Sequence, residues 1–101
     1  MLTLPIKKKW FDMIKSGEKK EEYREIKPYY DSRFNWIEDN DLKIHTVQVT
    51  KSIIFRNGYS KNSPSIQCHV SITKDYGKEK WGAETNKLYY VLKILSMEEL
   101  W

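Results

Sequence analysis

The chain has 101 residues, 40% of them hydrophobic, which suits one domain over residues 1–101 and leaves no length for a second core. Its net charge of +4, carried mostly by Lys with Arg only at 24, 33 and 56, permits phosphate or nucleic-acid contacts without establishing them. The single cysteine, Cys68, excludes an intrachain disulfide, and no apolar run approaches the roughly 20 residues of a membrane span, so a cytoplasmic protein with no membrane partner is expected.

In chain order, Leu2 to Ile6 reads as a short strand, and Pro5 marks it as an edge or a strand end. Lys7 to Ser16 places Trp10, Phe11 and Ile14 at helical spacing, predicting one short helix packed through Trp10 and Ile14. Gly17 is its left-handed stop. Lys19 to Ile26 follows as a charged strand that Pro28 ends. Tyr29 to Ile37 is expected to form a helical turn burying Tyr30, Phe34 and Ile37, before the turn signal Asp39-Asn40-Asp41.

The β-branched stretch Val47 to Phe55 predicts a strand ending at Asn57-Gly58, a tight-turn dipeptide. Ser65 to Lys74 alternates cleanly, with Ile66, Cys68, Val70 and Ile72 on one face and Gln67, His69, Ser71 and Thr73 on the other. Asp75 to Asn86 reads as a polar loop around Trp81-Gly82. Leu88 to Leu95 is apolar on both faces and is expected to be central. Together these elements predict a small α+β domain with a curled or closed sheet and one or two short helices near the N-terminus.

The segment from Gly17 to Arg24 packs six charges into eight residues. On a strand Glu22 and Arg24 share a face, and Lys19, leaving the helix in a turn, has a stem long enough to swing toward them. An ammonium, a carboxylate and a guanidinium around one pocket would grip a phosphate or read a base edge. The competing reading is an edge strand protected from aggregation by its charges.

The pattern Gly17-x-Lys19-x-x-Glu22-x-Arg24 resembles the GxKxxExR signature of the ASCH family, whose members have a PUA-like β-barrel fold. The resemblance covers most of the chain. It takes in Leu4-Pro5-Ile6, the helix from Trp10 to Gly17, Glu22-Tyr23-Arg24 running on to Lys27-Pro28-Tyr29, Phe55-Arg56-Asn57-Gly58-Tyr59, Trp81-Gly82-Ala83 and the last apolar strand. It implies a module that binds RNA or a nucleotide-like small molecule in a basic cleft. Lys19, Glu22 and Arg24 would line that cleft, Arg56 and Tyr59 would offer phosphate contact and stacking, and Gly17 and Gly58 would turn the backbone.

Some relatives in that family are enzymes, which makes a small hydrolase acting on a modified nucleoside or RNA the alternative. In the 4-acetylcytidine amidohydrolases the catalytic Lys corresponds to Lys19, but their Thr falls at Glu22, so that nucleophile is missing. Lys19 and Glu22 would then carry acid/base roles. Other members are ribonucleases.

The remaining polar candidates are weaker. His45 and His69 show no metal-ligand spacing with Cys68, so neither a metal nor another cofactor is expected. His69 is expected in solvent and Cys68 in the core. Trp81 is either a stacking lid or a plug. The cluster Lys7-Lys8-Lys9 at the helix start opposes the helix dipole and is a candidate phosphate contact. Tyr29, Tyr30 and Arg33 either edge the cleft or anchor the second helix.

Overall fold

Alternating apolar residues in the second half of the chain build the middle of a five-stranded sheet. The computed structural model describes residues 1–36 and 49–100. Strand β1 is Leu2–Ile6, β2 Glu21–Arg24, β3 Val49–Asn57, β4 Ser65–Tyr76 and β5 Leu88–Glu99. Their order across the sheet is β1-β3-β4-β5-β2. Strand β1 runs parallel to β3, and every other neighbouring pair is antiparallel. On β4 the apolar face holds as read, with Ile66, Cys68, Val70 and Ile72 buried, while on the polar face His69 is exposed, Gln67 and Thr73 are half-buried and Ser71 is buried.

The sheet is curled rather than flat. Opposite His69 lies Ser96 and opposite Val70 lies Ile94, so Leu95 is an extra residue that bulges β5 and increases its bend and twist. The curl brings the two edge strands together at one end, where Arg24 Nη2 on β2 donates to the Pro5 carbonyl on β1 at 2.9 Å. The result is a small α+β fold, mostly strands, with a half-barrel sheet and two short helices.

Helix α1, Lys8–Lys15, crosses between β1 and β2 and buries Phe11 and Ile14, with Trp10 only half-buried. Trp10 and Ile14 both pack on the core as expected, and Phe11 is buried more deeply than Trp10. Gly17 ends the helix with φ +85°, a conformation that costs little only without a Cβ.

Helix α2, Pro28–Arg33, corrects the role of Pro28, which occupies the first helical turn and opens the helix as well as following the strand. A first-turn proline loses no hydrogen bond, because that N–H would be an orphan in any case. Behind α2, Phe34 is buried and stacks on Tyr30 at 5.4 Å, and it meets Tyr90 edge-on at 5.1 Å. The Tyr90 hydroxyl hydrogen-bonds Asp31. Ile37, the Asp39-Asn40-Asp41 turn and His45 lie outside the described residues.

Three further boundaries shift. The charged strand is only Glu21–Arg24, shorter than the span from Lys19 to Ile26. Asn57-Gly58 does not make a two-residue hairpin: Gly58 turns with φ +115°, but Asn57 N–H bonds to Pro64 O at 2.9 Å and β4 begins only at Ser65. A longer loop results, with Tyr59 near its start. Strand β5 is interior, yet β4 is the middle strand, and β5 is buried on both faces only over Tyr89, Tyr90, Val91 and Leu92. Among the described residues no helix is long and apolar enough to cross a membrane.

Candidate functional site at the sheet seam

The short strand β2 alternates in an unusual sense. Glu22 lies opposite Leu92 and Arg24 opposite Tyr90, so both charged side chains share the face of two core residues. Tyr23, opposite Val91, points the other way into a small second cluster with Ala83 and Tyr89. Inward-facing charge on an edge strand both discourages edge-to-edge pairing and leaves a polar patch inside the curl.

Lys19 closes that patch from behind. Its N–H bonds to Met13 O at 2.9 Å, holding the turn after α1 so that the side chain runs inward. The ammonium stands 3.2 Å from Glu22 Oε1, donates to Trp81 O at 3.0 Å and to Glu21 O, and faces the rings of Trp10 and Tyr23 at 5.2 and 4.9 Å. Only 1% of Lys19 is exposed, and burial lowers its pKa below the ordinary lysine value against the pull of Glu22. Glu22, 7% exposed, accepts from Arg24 Nη2 at 2.8 Å through its other oxygen. Arg24 reaches on to the Tyr30 hydroxyl at 3.3 Å. The three charges of the motif thus converge, with one carboxylate bridging two cations.

In front of this network opens a cleft of about 860 Å³, within the ~300–1,000 Å³ common for small-ligand sites. It sits where β1, β3 and β2 end together, lined by Pro5, Ile6, Asn57, Gly58, Glu22 and Arg24. Lys7, Lys8, Lys27 and Lys87 add cations, Glu25 and Glu84 add carboxylates, and Trp10, Tyr23, Tyr30, Tyr59, Trp81 and Tyr89 add rings. Five cations against three carboxylates leave the lining net positive, and six aromatic residues border it, of which Trp81 and Tyr89 are buried and Tyr59 is the most exposed.

The residues singled out from sequence occupy different depths. Glu22 and Arg24 form the floor, and Gly58 and Tyr59 lie on the lining, Tyr59 being 89% exposed. Lys19 lies beneath the floor and is not part of the lining, and Gly17 shapes the turn that delivers it. Arg56 lies opposite Pro5 in the β1–β3 register but outside the cleft, with its buried Nε unpartnered.

Lys7 and Lys8 do reach the cleft, whereas Lys9 lies over Trp10 at 4.5 Å. Tyr30 edges the cleft, while Tyr29 and Arg33 stack on each other outside it. Trp81 is 6% exposed, and its backbone carbonyl holds Lys19. Away from the cleft, His69 is exposed, with Nδ1 3.4 Å from Ser52 Oγ, and the buried Cys68 thiol is pushed up to about 11. Among the described residues no group of three or more His, Cys, Asp or Glu side chains could hold a metal.

Sequence reasoning missed Glu25, Glu84, Lys87 and Tyr89. Tyr89 came within a strand read only as apolar, and the other three looked like ordinary solvated charge. Only the pairing of β2 with β5 carries Glu25 toward Lys87 and Tyr23 toward Tyr89. Compared with family models, curated proteins and solved structures, the chain matches none.

Proposed function

We propose that the seam cleft binds RNA or a nucleotide-like ligand, in an ASCH-like module with a PUA-like barrel. One observation carries this reading: a cleft of about 860 Å³ combines net positive charge with six aromatic residues above a fixed Glu22–Arg24 floor. Cations supply attraction to phosphate, and exposed rings supply a surface on which any base stacks. Tyr59 stands out from the rim as the freest ring. Lys7 and Lys8 supply lining cations, and Glu22, whose two oxygens are taken by Lys19 and Arg24, orients the Arg24 guanidinium. The GxKxxExR resemblance supports the same assignment independently of the cleft's shape.

In this mechanism Lys19 is a positioning residue. It fixes Glu22 from below and ties the Trp81 turn to the motif strand. The hydrolytic alternative would require its buried amine to exchange protons with a substrate.

The test is titration of a fluorescent oligoribonucleotide at rising salt, with Tyr59→Ala and Lys7→Gln as variants. Affinity should fall steeply with salt, and Lys7→Gln should flatten that slope by about one phosphate's worth. Tyr59→Ala should cost about 1–3 kcal/mol of binding while shifting folding stability by no more than about 0.5 kcal/mol. Undetectable binding at low salt, or variants that bind like the parent, would overturn the assignment.

A further inference from the structure

The cations that line the cleft are largely answered by carboxylates of the same chain. Arg24 is held by Glu22 at 2.8 Å. Lys27 and Lys87 lie 3.7 and 3.9 Å from the two oxygens of Glu25, and Lys87 also lies 3.6 Å from Glu84. Lys8 is paired with Asp12 at 2.6 Å. Among the described residues, Lys7 is the one lining cation with no carboxylate within 4.0 Å.

Glu25 holds the pivotal place. It follows the last residue of β2, and its two oxygens reach one lysine before α2 and one lysine before β5, so it links both sides of the cleft mouth. All three side chains remain 41–59% exposed, which makes these pairs weak and exchangeable. A phosphate entering the mouth meets lysines already paired to an internal anion. To use them it must displace Glu25, and Glu25 then repels it.

We propose that Glu25 is a specificity-determining residue that limits how much negative charge the cleft accepts, disfavouring phosphate-rich ligands relative to those carrying a single phosphate. The inference rests on the cleft being the ligand site and adds a residue that neither the motif nor its resemblance assigns. Lys27 and Lys87 are reserve cations, available to a ligand only in competition with Glu25. Glu84, whose carboxylate pairs with Lys87 alone among the described residues, plays the smaller part.

The experiment compares the full chain with Glu25→Gln and Glu84→Gln, using a short oligouridylate and uridine monophosphate as probes across a salt series. Glu25→Gln should tighten the oligouridylate by about two- to fivefold, the range expected for releasing exposed ion pairs. It should also steepen the salt dependence and leave uridine monophosphate closer to its original affinity. Glu84→Gln should act in the same direction with a smaller change. Both substitutions remove exposed carboxylates, and an unchanged thermal midpoint checks that the fold is intact.

Oligouridylate affinity that is unchanged or weaker in Glu25→Gln, while the parent binds it, overturns the role of Glu25 and leaves the cleft assignment standing. Equal tightening of both probes overturns the discrimination by charge. A parent chain that binds neither probe at low salt removes the cleft assignment itself, and the role of Glu25 with it.

Discussion

The molecule has two interiors built on opposite principles, one beneath β3, β4 and β5 and one at the seam of β1 and β2. In the first, Phe55, Ile53, Cys68, Ile72 and Leu92 pack in one cluster of apolar side chains with Tyr90. In the second, Lys19, Glu22 and Arg24 are nearly as well buried but are held by charge and hydrogen bonds. The apolar region needs volume, and a slightly smaller residue is tolerated. The charged region needs every partner, because a buried charge left alone has neither water nor counter-charge.

The sharpest way to break the comparison is Glu22→Ala. It leaves the Lys19 and Arg24 cations facing each other without their shared carboxylate, and should cost about 3–5 kcal/mol in urea unfolding. Replacing all three charges together, Lys19→Met, Glu22→Leu and Arg24→Met, should restore much of that loss, since a buried ion triad gains little over well-packed apolar residues of similar volume. A triple variant as unstable as Glu22→Ala would show that the seam depends on its polar bonds more than on paired burial. In the apolar region, Ile72→Val removes one methyl group and should cost only about 0.5–1.5 kcal/mol by the same measurement.

Two smaller effects sharpen the contrast through pH. The folded pKa of Lys19 lies below the ordinary value of 10.5, so the folded chain loses this proton before the unfolded chain does. Stability therefore rises with pH between that lowered value and 10.5, and the gain disappears as pH falls back through the folded value. Lys19→Met should remove that rise, read as the difference between parent and variant in alkaline urea titrations.

Cys68 has the opposite sign, its thiol moving from 9.0 up to about 11 because burial disfavours the thiolate. Its contribution is fully present below pH 9 and is lost as pH climbs toward about 11. Alkylation of the folded chain at pH 9 should accordingly be far slower than in urea. Equal rates would mean that β4 opens readily.

How much could be read in advance follows the same division. Strand β4 was legible because a period of two over ten residues has a single reading once one face is apolar, and Ser65 to Lys74 became the middle strand. Helix α1 was legible from Trp10, Phe11 and Ile14 together with Gly17. The order of depth among its aromatics was not, because Trp10 is drawn outward to the cleft and to the backbone near Gly82. At the seam, the spacing from Lys19 to Arg24 allowed either convergence or a charge-protected edge strand. It could not reveal that Lys19 would be sealed beneath the floor, a depth set by Trp81, which arrives 62 residues later.

Local sequence determined what each segment is: alternation specifies strands, helical spacing specifies α1, and Gly17 marks its end. It also placed a carboxylate and two cations within a turn and a short strand of one another, near enough to meet. Tertiary structure alone decided which of those charges line the cleft. The bulge at Leu95, the curl joining Arg24 to Pro5 and the pairing of β2 with β5 placed Lys19 below, Glu22 and Arg24 on the floor, and Glu25 with Lys87 at the mouth. Exposure depends on what the rest of the chain packs over a side chain, and no local pattern encodes that.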